Sequence, residues 1–398
     1  MNLRLISAFI LILFFRPALE ASAAGEISYI QDSVGLDPVP ELLPDNIEEE
    51  APVQLAETAT RDNPDFWINR LRAKNFQIQD TTIIYPKFLG FCVNVYNWAD
   101  RTFNTYDHDY VQPSGKKWKV MWKNSNWFDS YALDMPDNVH MRMLSSLYMS
   151  TGPYLSFMAV TVGYAANLNR LITKEPTRQK RYDFSFSTAL FEVDLYYTRN
   201  RDGTRVRRFE PYDQGRYIDV RFPSLQLKNY GAAAFYFFNH GRYYQGAAYN
   251  YSKIQKRSQG SFILGLSVSH QDISFDLSTL PEEMVDYLPK GEPLNFNFVY
   301  NDYCIIAGYG YNWAFGPHWV LNFTGMPAFG LKHCSADNGD GRKNLPAVNL
   351  AARSGVAYNL QNFFVGVNGY ITANWYINEK ISFINAVGSF GVATGLRF

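Results

Sequence analysis

The sequence predicts an all-β fold, a transmembrane antiparallel up-and-down β-barrel. Three observations lead to it: an apolar leader, long segments in which apolar and polar residues alternate, and a last strand that ends in Phe. Of the 398 residues, 47% are hydrophobic, 17% aromatic and only 19% charged, which excludes a largely disordered chain and a coiled coil. Basic and acidic residues number 37 each, so no basic excess indicates a nucleic-acid-binding protein.

Residues 1–24 are predicted to be a secretory signal peptide. Arg4 precedes an apolar run that Arg16 closes, and small residues follow at positions 21–24. This run is too short to span a membrane comfortably as a helix. We therefore expect export followed by cleavage, rather than a membrane anchor.

Residues 25–80 form the second predicted region, an acidic, Pro-rich periplasmic segment. Residues 26–65 hold eleven acidic residues and one basic residue, without a sustained hydrophobic period. This composition indicates an extended chain, either a solvated linker or an arm that binds a partner. A short helix is predicted from about Asn63 to Phe76, because a Pro and an acidic residue near the first turn suit a helix start.

The third region, residues 81–398, carries the alternation that predicts strands. In residues 363–375, for example, Phe363 and Val367 share one parity, while Asn368 falls on the other. Such a period of two is typical of a strand with one apolar and one polar face. The segments are about 11 to 18 residues long and have aromatic ends, as tilted strands that cross a bilayer require. A soluble sandwich has strands of about five or six residues.

We predict about twelve strands, an even number as single-chain bacterial barrels require, and the pattern allows ten to fourteen. The long connections at 99–114, 199–225, 276–295 and 333–345 are expected outside the cell. Together with the signal peptide, the strands predict a place in the bacterial outer membrane. The predicted strands are about 82–98, 115–128, 138–150, 154–170, 182–198, 226–240, 258–275, 296–312, 317–332, 346–360, 363–378 and 381–398.

The final strand carries a pattern that resembles the assembly signal of outer-membrane barrels. Counted back from the terminus, apolar residues recur at alternate positions, whereas Arg397 faces the other way. We therefore expect the barrel-assembly machinery to be a partner, and outer-membrane lipid and lipopolysaccharide to surround the barrel. The residues of this membrane-assembly signal are Phe390, Val392, Leu396 and Phe398.

Two motifs resemble a known family. The first is YYQGAAYN at 243–250, which continues through QKRSQGSF at 255–262, and the second is NTYD at 104–107 with Val111. Both are similar to passages in an uncharacterised Bacteroidota family of outer-membrane β-barrels, a domain of unknown function. The resemblance covers roughly residues 80–398 and implies a barrel. It implies no activity, because the family has none assigned.

The parity of the strands also predicts which polar side chains face the lumen. A lumen that holds both charge signs either lines a water-filled passage or is cross-linked by salt bridges into a plug. The sequence leaves both alternatives open. The lumen-lining candidates are His140, Arg142, Glu192, Asp194 and Arg353.

A lipid-modifying hydrolase is the alternative from another functional class. Such an enzyme needs a Ser and a His within hydrogen-bond reach of each other. His270 falls on an apolar, lipid-facing parity with Ser267, Ser269 and Ser274 close in sequence, but an interfacial His is the ordinary explanation. No serine-hydrolase or zinc-protease motif occurs, and the cysteines show no metal-ligand spacing. We name no catalytic residue, metal site or cofactor.

A basic stretch between Thr198 and Pro211 is predicted to be an external loop. Its guanidinium groups suit lipopolysaccharide phosphates by bidentate pairing, and the alternative is a solvated charged loop. The basic residues are Arg199, Arg201, Arg205, Arg207 and Arg208.

The leading hypothesis is thus a non-enzymatic outer-membrane barrel, either a narrow pore or a surface or structural barrel. The alternatives are a lipid-modifying hydrolase, a barrel that binds lipopolysaccharide, and a secreted soluble β-protein. The sequence does not fix the oligomeric state.

Overall fold

The structure is a computed structural model that describes most of the chain after residue 65. The described residues are 66–74, 83–116, 118–157, 160–169, 179–201, 203–291, 293–335, 342–377 and 381–398. The predicted signal peptide and residues 25–65 of the predicted acidic segment lie outside them.

The described ranges contain the α-helices α1 (Trp67–Ala73), α2 (Lys87–Phe103) and α3 (Glu282–Val285). They also contain two short 3-10 helices, Gln245–Ala248 and Leu277–Thr279. In these ranges, no helix combines the length and the apolar character that a membrane span needs. α1 falls within the stretch where the sequence places a short helix.

The strand predicted over 82–98 is wrong, because α2 occupies most of this stretch. Phe91, Val93 and Val95 alternate with other residues as in a strand, so the local pattern is ambiguous. Over a longer window, however, apolar residues recur at the three- and four-residue spacing of a helix. These residues, all exposed, are Phe88, Phe91, Val95 and Trp98.

Most of the remaining elements are antiparallel strands. Their bounds are β1 Val111–Pro113, β2 Trp118–Met135, β3 Val139–Ser145, β4 Tyr148–Phe157, β5 Val160–Gly163, β6 Ala166–Asn167, β7 Lys180–Ser187, β8 Phe191–Asn200, β9 Thr204–Glu210, β10 Val220–Arg221, β11 Gln226–Phe237, β12 Lys253–Gln255, β13 Gln259–Asp276, β14 Asn295–Phe315, β15 Trp319–Cys334, β16 Asn344–Asn359, β17 Phe363–Ile377 and β18 Ser382–Arg397.

The strands form one large sheet and a separate two-stranded ribbon. The main order is β10-β9-β3-β2-β18-β17-β16-β15-β14-β13-β11-β8-β7, with β4 paired to β2, β5 and β6, while β1 pairs with β12 in the ribbon. Between β13 and β18 each strand pairs with the next in sequence, which is an up-and-down meander. The predicted fold class, an antiparallel up-and-down barrel, is confirmed. The predicted number of strands, about twelve with a range of ten to fourteen, is too low, because the large sheet holds 16. The stretches 138–150 and 182–198 each cover two strands, and β9 and β10 fall in a predicted connection.

Two features curl the sheet round. The last strand, β18, pairs with the first long strand, β2, from Ser382 opposite Asp134 to Arg397 opposite Lys119. In addition, β9 follows β8 in the sequence and pairs with β3, which itself pairs with the C-terminal half of β2. The chain thereby links the β11 side of the sheet to the β2 side.

One predicted strand, 182–198, is in fact two. β7 and β8 are separated at Thr188, whose backbone N–H donates to the Phe191 carbonyl at 2.8 Å. The Thr188 hydroxyl also accepts a hydrogen bond from the Phe191 N–H at 2.9 Å. These two bonds close a tight turn between β7 and β8. The chain reverses direction there, although the alternation of side chains in the sequence continues across the turn.

We name the two ends of the sheet by their connections. The near end holds Trp118, Phe398 and the connections 188–190, 316–318 and 360–362. It also carries a longer connection, residues 238–258. The far end holds the connections 136–138, 211–225 and 277–294, together with the ends of β15 and β17 and the starts of β16 and β18.

An apolar belt covers the outward face next to the near end. Along β14, the outward side chains from Tyr303 to Trp313 include Ile305, which is 58% exposed. Ten residue steps, at about 3.4 Å each and a tilt of about 40°, span roughly 26 Å, which matches the apolar band of a membrane barrel. Aromatic rings border the belt at the near end, where Trp319 and Tyr358 lie 4.8 Å apart.

Beyond the belt, the polarity of the sheet reverses. The inward side chains at the far end form a large apolar cluster that includes Tyr131, Phe298 and Phe383. Leu280 and Met284, from the connection 277–294, close over it. Most outward side chains here are polar, among them Asp134, although Ile377 is also 55% exposed. This part of the sheet therefore has an apolar interior and a mostly polar outer surface, as a water-soluble barrel has.

Replacing Phe298 with Ala should lower the free energy of unfolding by about 3 to 5 kcal/mol, because it removes a buried aromatic ring. Phe298 is 0% exposed and stacks on Phe383 with ring centroids 5.4 Å apart. Urea unfolding in detergent measures the change. The matched control is Phe329→Ala, since Phe329 lies on the belt and is 57% exposed. Equal losses in both variants would contradict the far-end core.

Candidate functional site

The interior of the sheet holds three layers of buried side chains. The far layer is the apolar cluster described above. The middle layer contains charged groups from facing walls. The near layer is built by residues 239–257, which we call the plug. Together these layers make up the candidate functional site.

The middle layer centres on Arg353 of β16. Its Nη1 donates to Glu192 Oε1 and its Nη2 donates to Asp194 Oδ2 at 2.5 Å, both on β8. The guanidinium also lies 5.4 Å from the Phe235 ring and 5.3 Å from the Tyr370 ring. Three of the predicted lumen residues thus meet, and they join two walls that are separated by four intervening strands.

A second buried ion pair was not predicted from the sequence. Lys332 Nζ donates to Asp302 Oδ1 at 2.6 Å and to Oδ2 at 2.8 Å, and both side chains are almost fully buried. Lys332 Nζ also lies 3.6 Å from the Tyr300 ring centroid, and Asn349 Nδ2 donates to Asp302 at 3.2 Å. From the sequence, the only signal was that both residues fall on the inward parity of neighbouring strands. That they stand opposite each other follows from the register of the structure.

The plug contacts the inner walls through hydrogen bonds. Tyr249 OH donates to Asn322 Oδ1 at 2.6 Å, and Asn322 Nδ2 donates to Tyr243 OH at 3.1 Å. Gln245 Nε2 donates to Thr324 Oγ1 at 3.2 Å. Because burial favours the uncharged phenol, the pKa of Tyr244 rises to about 12. The YYQGAAYN motif is therefore an internal element with its polar atoms paired.

Two buried cations of the barrel wall also bind the plug. Lys119 Nζ donates to the Asn250 carbonyl and to Ser252 Oγ, each at 2.7 Å. Arg397 Nε donates to the Tyr251 carbonyl at 2.9 Å. These residues come from the first and the last long strands, so the plug is attached where those strands meet.

Inward glycines provide the space for the plug tyrosines. A Cβ on Gly366 would lie 2.3 Å from Tyr251 OH, and one on Gly310 would lie 2.2 Å from Tyr243 OH. Real Cβ atoms do not approach other atoms this closely. At these positions the wall therefore requires glycine.

The second motif, NTYD with Val111, lies against the plug. β1 pairs with β12, and Val111 stands opposite Gln255. Lys253 Nζ donates to Asn104 Oδ1 at 2.9 Å and lies 4.5 Å from the Tyr106 ring. Burial lowers the pKa of Lys253 to about 8. The two motifs that carry the family resemblance thus form one structural unit at the near end.

Two predicted lumen residues, His140 and Arg142, are not in the lumen. On β3 the buried parity is that of Met141, so His140 and Arg142 point outward. His140 Nδ1 and Arg142 Nη1 lie 2.9 and 2.7 Å from Asp134 Oδ1. The prediction assumed that the apolar parity faces lipid, whereas at the far end it faces the interior cluster.

The predicted external basic loop is largely a strand. Arg199 belongs to β8, and Arg205, Arg207 and Arg208 belong to β9, whereas Arg201 lies between the two strands. Arg205 and Arg207 share Asp219, and Arg208 pairs with Glu210 at 2.7 Å and with Asp213 at 3.0 Å. Three of the five guanidinium groups are therefore paired with acidic residues of β9 or of the connection 211–225.

His270 lies on the outward face, as the parity indicates. Its Nδ1 is 2.8 Å from Asn301 Oδ1, and its ring centroid is 4.9 Å from that of Tyr230. Ser267 and Ser269 fall on the opposite, inward parity, so neither can share a face of the sheet with His270. Ser274 shares the outward parity, but it lies four residues further along β13, about 13 Å away at about 3.3 Å per residue. The residues of the C-terminal pattern, from Phe390 to Phe398, lie on the outward face and are exposed.

Replacing Gly366 with Ala should displace the plug, because the new Cβ overlaps the Tyr251 ring. Overpacking costs about 1 to 3 kcal/mol, so we expect trypsin to cleave after Lys253 about tenfold faster. Gly325→Ala is the matched control, since a Cβ there would meet no atom within 4 Å. Unchanged cleavage in Gly366→Ala would show that the plug does not depend on this contact.

Replacing Arg353 with Met should leave Glu192 and Asp194 buried without their cation. Loss of one partner of a buried ion pair costs about 3 to 5 kcal/mol, measurable by urea unfolding. Arg205→Met removes an arginine from an exposed pair with Asp219 and should cost about 1 kcal/mol or less. A similar cost in both variants would argue against an ion cluster that links the walls.

No curated protein matches the chain. Solved structures with a similar fold include the outer-membrane protease OmpT from Escherichia coli, with 8% identity and a TM-score of 0.32 over 74% of this chain and 98% of that one. The translocator domain of the autotransporter NalP from Neisseria meningitidis has 12% identity and a TM-score of 0.28, over 83% and 99%. Neisserial surface protein A has 11% identity and a TM-score of 0.23, over 70% and 97%.

The sequence also matches a protein family over most of its length. The family is described as Domain of unknown function (DUF4421), and the match covers residues 105–398. Both motifs of the near-end unit fall within this range, apart from the first residue of NTYD. The chain belongs to the family described as Domain of unknown function (DUF4421).

Proposed function

We propose that this protein is an outer-membrane β-barrel with a closed interior, which acts through its surfaces as a surface or structural barrel. The observation that carries the proposal is that three layers of buried side chains follow one another inside the sheet. The sequence leaves two alternatives open for the lumen. The proposal favours a lumen that is cross-linked by salt bridges over a water-filled passage.

The outward face supports the membrane part of this proposal. Its apolar belt has the height of a bilayer's hydrocarbon region, and exposed aromatic rings border it at the near end. Beyond the belt most outward side chains are polar, as contact with water requires. We place the near end, where the connections 188–190, 316–318 and 360–362 are short, in the periplasm and the far end outside the cell.

The composition of the layers supports the closed interior. A passage through the middle layer would have to separate Arg353 from Glu192 and Asp194, and it would leave charges without partners in a dry environment. A passage through the far layer would have to open an aromatic cluster that includes Phe275, Phe298 and Tyr376. Both changes are costly, so an open resting pore is disfavoured.

The hydrolase alternative has less support. His270, its best candidate, contacts Asn301 and Tyr230, and the two nearest serines in sequence occupy the opposite face. A serine nucleophile has to lie within hydrogen-bond reach of its base. No observation on the described residues favours lipid hydrolysis over a structural histidine.

Planar-bilayer recording of the purified, heat-modifiable protein tests the closed interior. We expect no conductance steps from the full chain, because each of the three layers blocks the lumen. A variant with a smaller plug, Tyr243→Ala/Tyr249→Ala, should also stay silent, since the middle and far layers remain. Flotation with phosphatidylcholine vesicles is the control for insertion.

Two outcomes would contradict the proposal. Ion-selective steps from the full chain would restore the pore alternative. A mature chain that stays soluble and folded without detergent, and does not float with vesicles, would count against the membrane barrel.

A further inference from the structure

Three basic side chains form a row across neighbouring strands of the outward face. Lys180 on β7 stands opposite Arg199 on β8, which stands opposite Lys228 on β11. The next position of the row, on β13, is Asp272. Three cations and one carboxylate therefore lie side by side.

Like charges placed directly opposite each other destabilise a sheet, unless an anion lies between them. Among the residues that the structure describes, no carboxylate lies within 4.0 Å of the charged groups of Lys180, Arg199 or Lys228. Arg205 and Arg207, in contrast, share Asp219. The row is therefore a concentration of positive charge that an external anion could neutralise.

The row lies at the boundary of the apolar belt. Two residues closer to the near end, the same strands carry Tyr182, Tyr197 and Tyr230, again directly opposite one another. The rings of Tyr182 and Tyr197 are 6.1 Å apart, and Lys228 Nζ lies 5.3 Å from the Tyr230 ring. Tyrosine rings are enriched at the level of lipid headgroups, so the cations stand at the depth of lipid phosphates.

On the near-end side of the tyrosines, β11 presents small side chains at the next two outward positions. Ala232 and Ala234 are exposed, and they lie between Leu195 of β8 and Val268 and Leu266 of β13. Small side chains flanked by larger ones form a shallow apolar groove that points from the cation row into the belt. An acyl chain would fit along such a groove, directly under a phosphate bound by the cations.

We propose that Lys180, Arg199 and Lys228 bind the phosphate groups of an anionic lipid in the leaflet at the far end, with an acyl chain along Ala232 and Ala234. Arg199 supplies bidentate pairing, and the two lysines supply point charges. The inference rests on the proposed function, because it requires the belt to lie in a bilayer.

Native mass spectrometry of the detergent-solubilised full chain tests the site, with phosphatidylglycerol as the probe and phosphatidylcholine as the zwitterionic reference. A basic residue near an anionic membrane surface contributes about fivefold to binding. We expect Lys180→Gln/Arg199→Gln/Lys228→Gln to bind phosphatidylglycerol about 100-fold more weakly, and Lys228→Gln alone about fivefold more weakly. The matched control, Arg142→Gln/Arg205→Gln/Arg207→Gln, removes the same charge from the far end and should bind like the unmodified chain.

Three results would overturn the site. They are equal binding by the triple variant and the unmodified chain, an equal loss in the control variant, and displacement of the lipid by millimolar inorganic phosphate. The last would identify a free phosphate site. Flotation with neutral phosphatidylcholine vesicles separates the two proposals. A chain that floats but does not retain phosphatidylglycerol contradicts only the lipid site, whereas a chain that does not float contradicts the membrane barrel.

Discussion

The interior depends on one interaction, the pairing of Arg353 with two carboxylates from the facing wall. It ties β16 to β8 and lies between the plug and the far apolar cluster. Charge of either sign alone would be too costly to bury at this depth, so the three groups have to be present together. The pair of Lys332 and Asp302 follows the same rule on neighbouring strands.

The plug gives the family's motifs a structural meaning. The tyrosines and amides of YYQGAAYN bind inner-wall residues, and the glycines opposite them leave the necessary space. The NTYD motif joins the same unit through Lys253 and the ribbon of β1 and β12. Residues that carry the resemblance are therefore held in place by hydrogen bonds and close contacts at the near end.

The sequence predicted the C-terminal meander well, from β13 to β18, because alternation is strong there and the strands are separated by clear turns. It also placed Glu192, Asp194 and Arg353 inside. It failed at His140 and Arg142, since alternation shows that a strand has two faces but not which face meets the interior. It failed at α2 because a short window fits both periods. The pair of Lys332 and Asp302 emerged only when the register was known.

The connection 277–294 has a consequence for engineering. External loops of barrels are the usual places to insert epitopes for surface display, on the assumption that they are independent of the fold. Here Leu280 and Met284 of this connection are built into the far-end cluster, so an insertion would disrupt the packing of the barrel itself. The tight turn 136–138 lacks such an anchoring segment, and a displayed peptide would be better tolerated there.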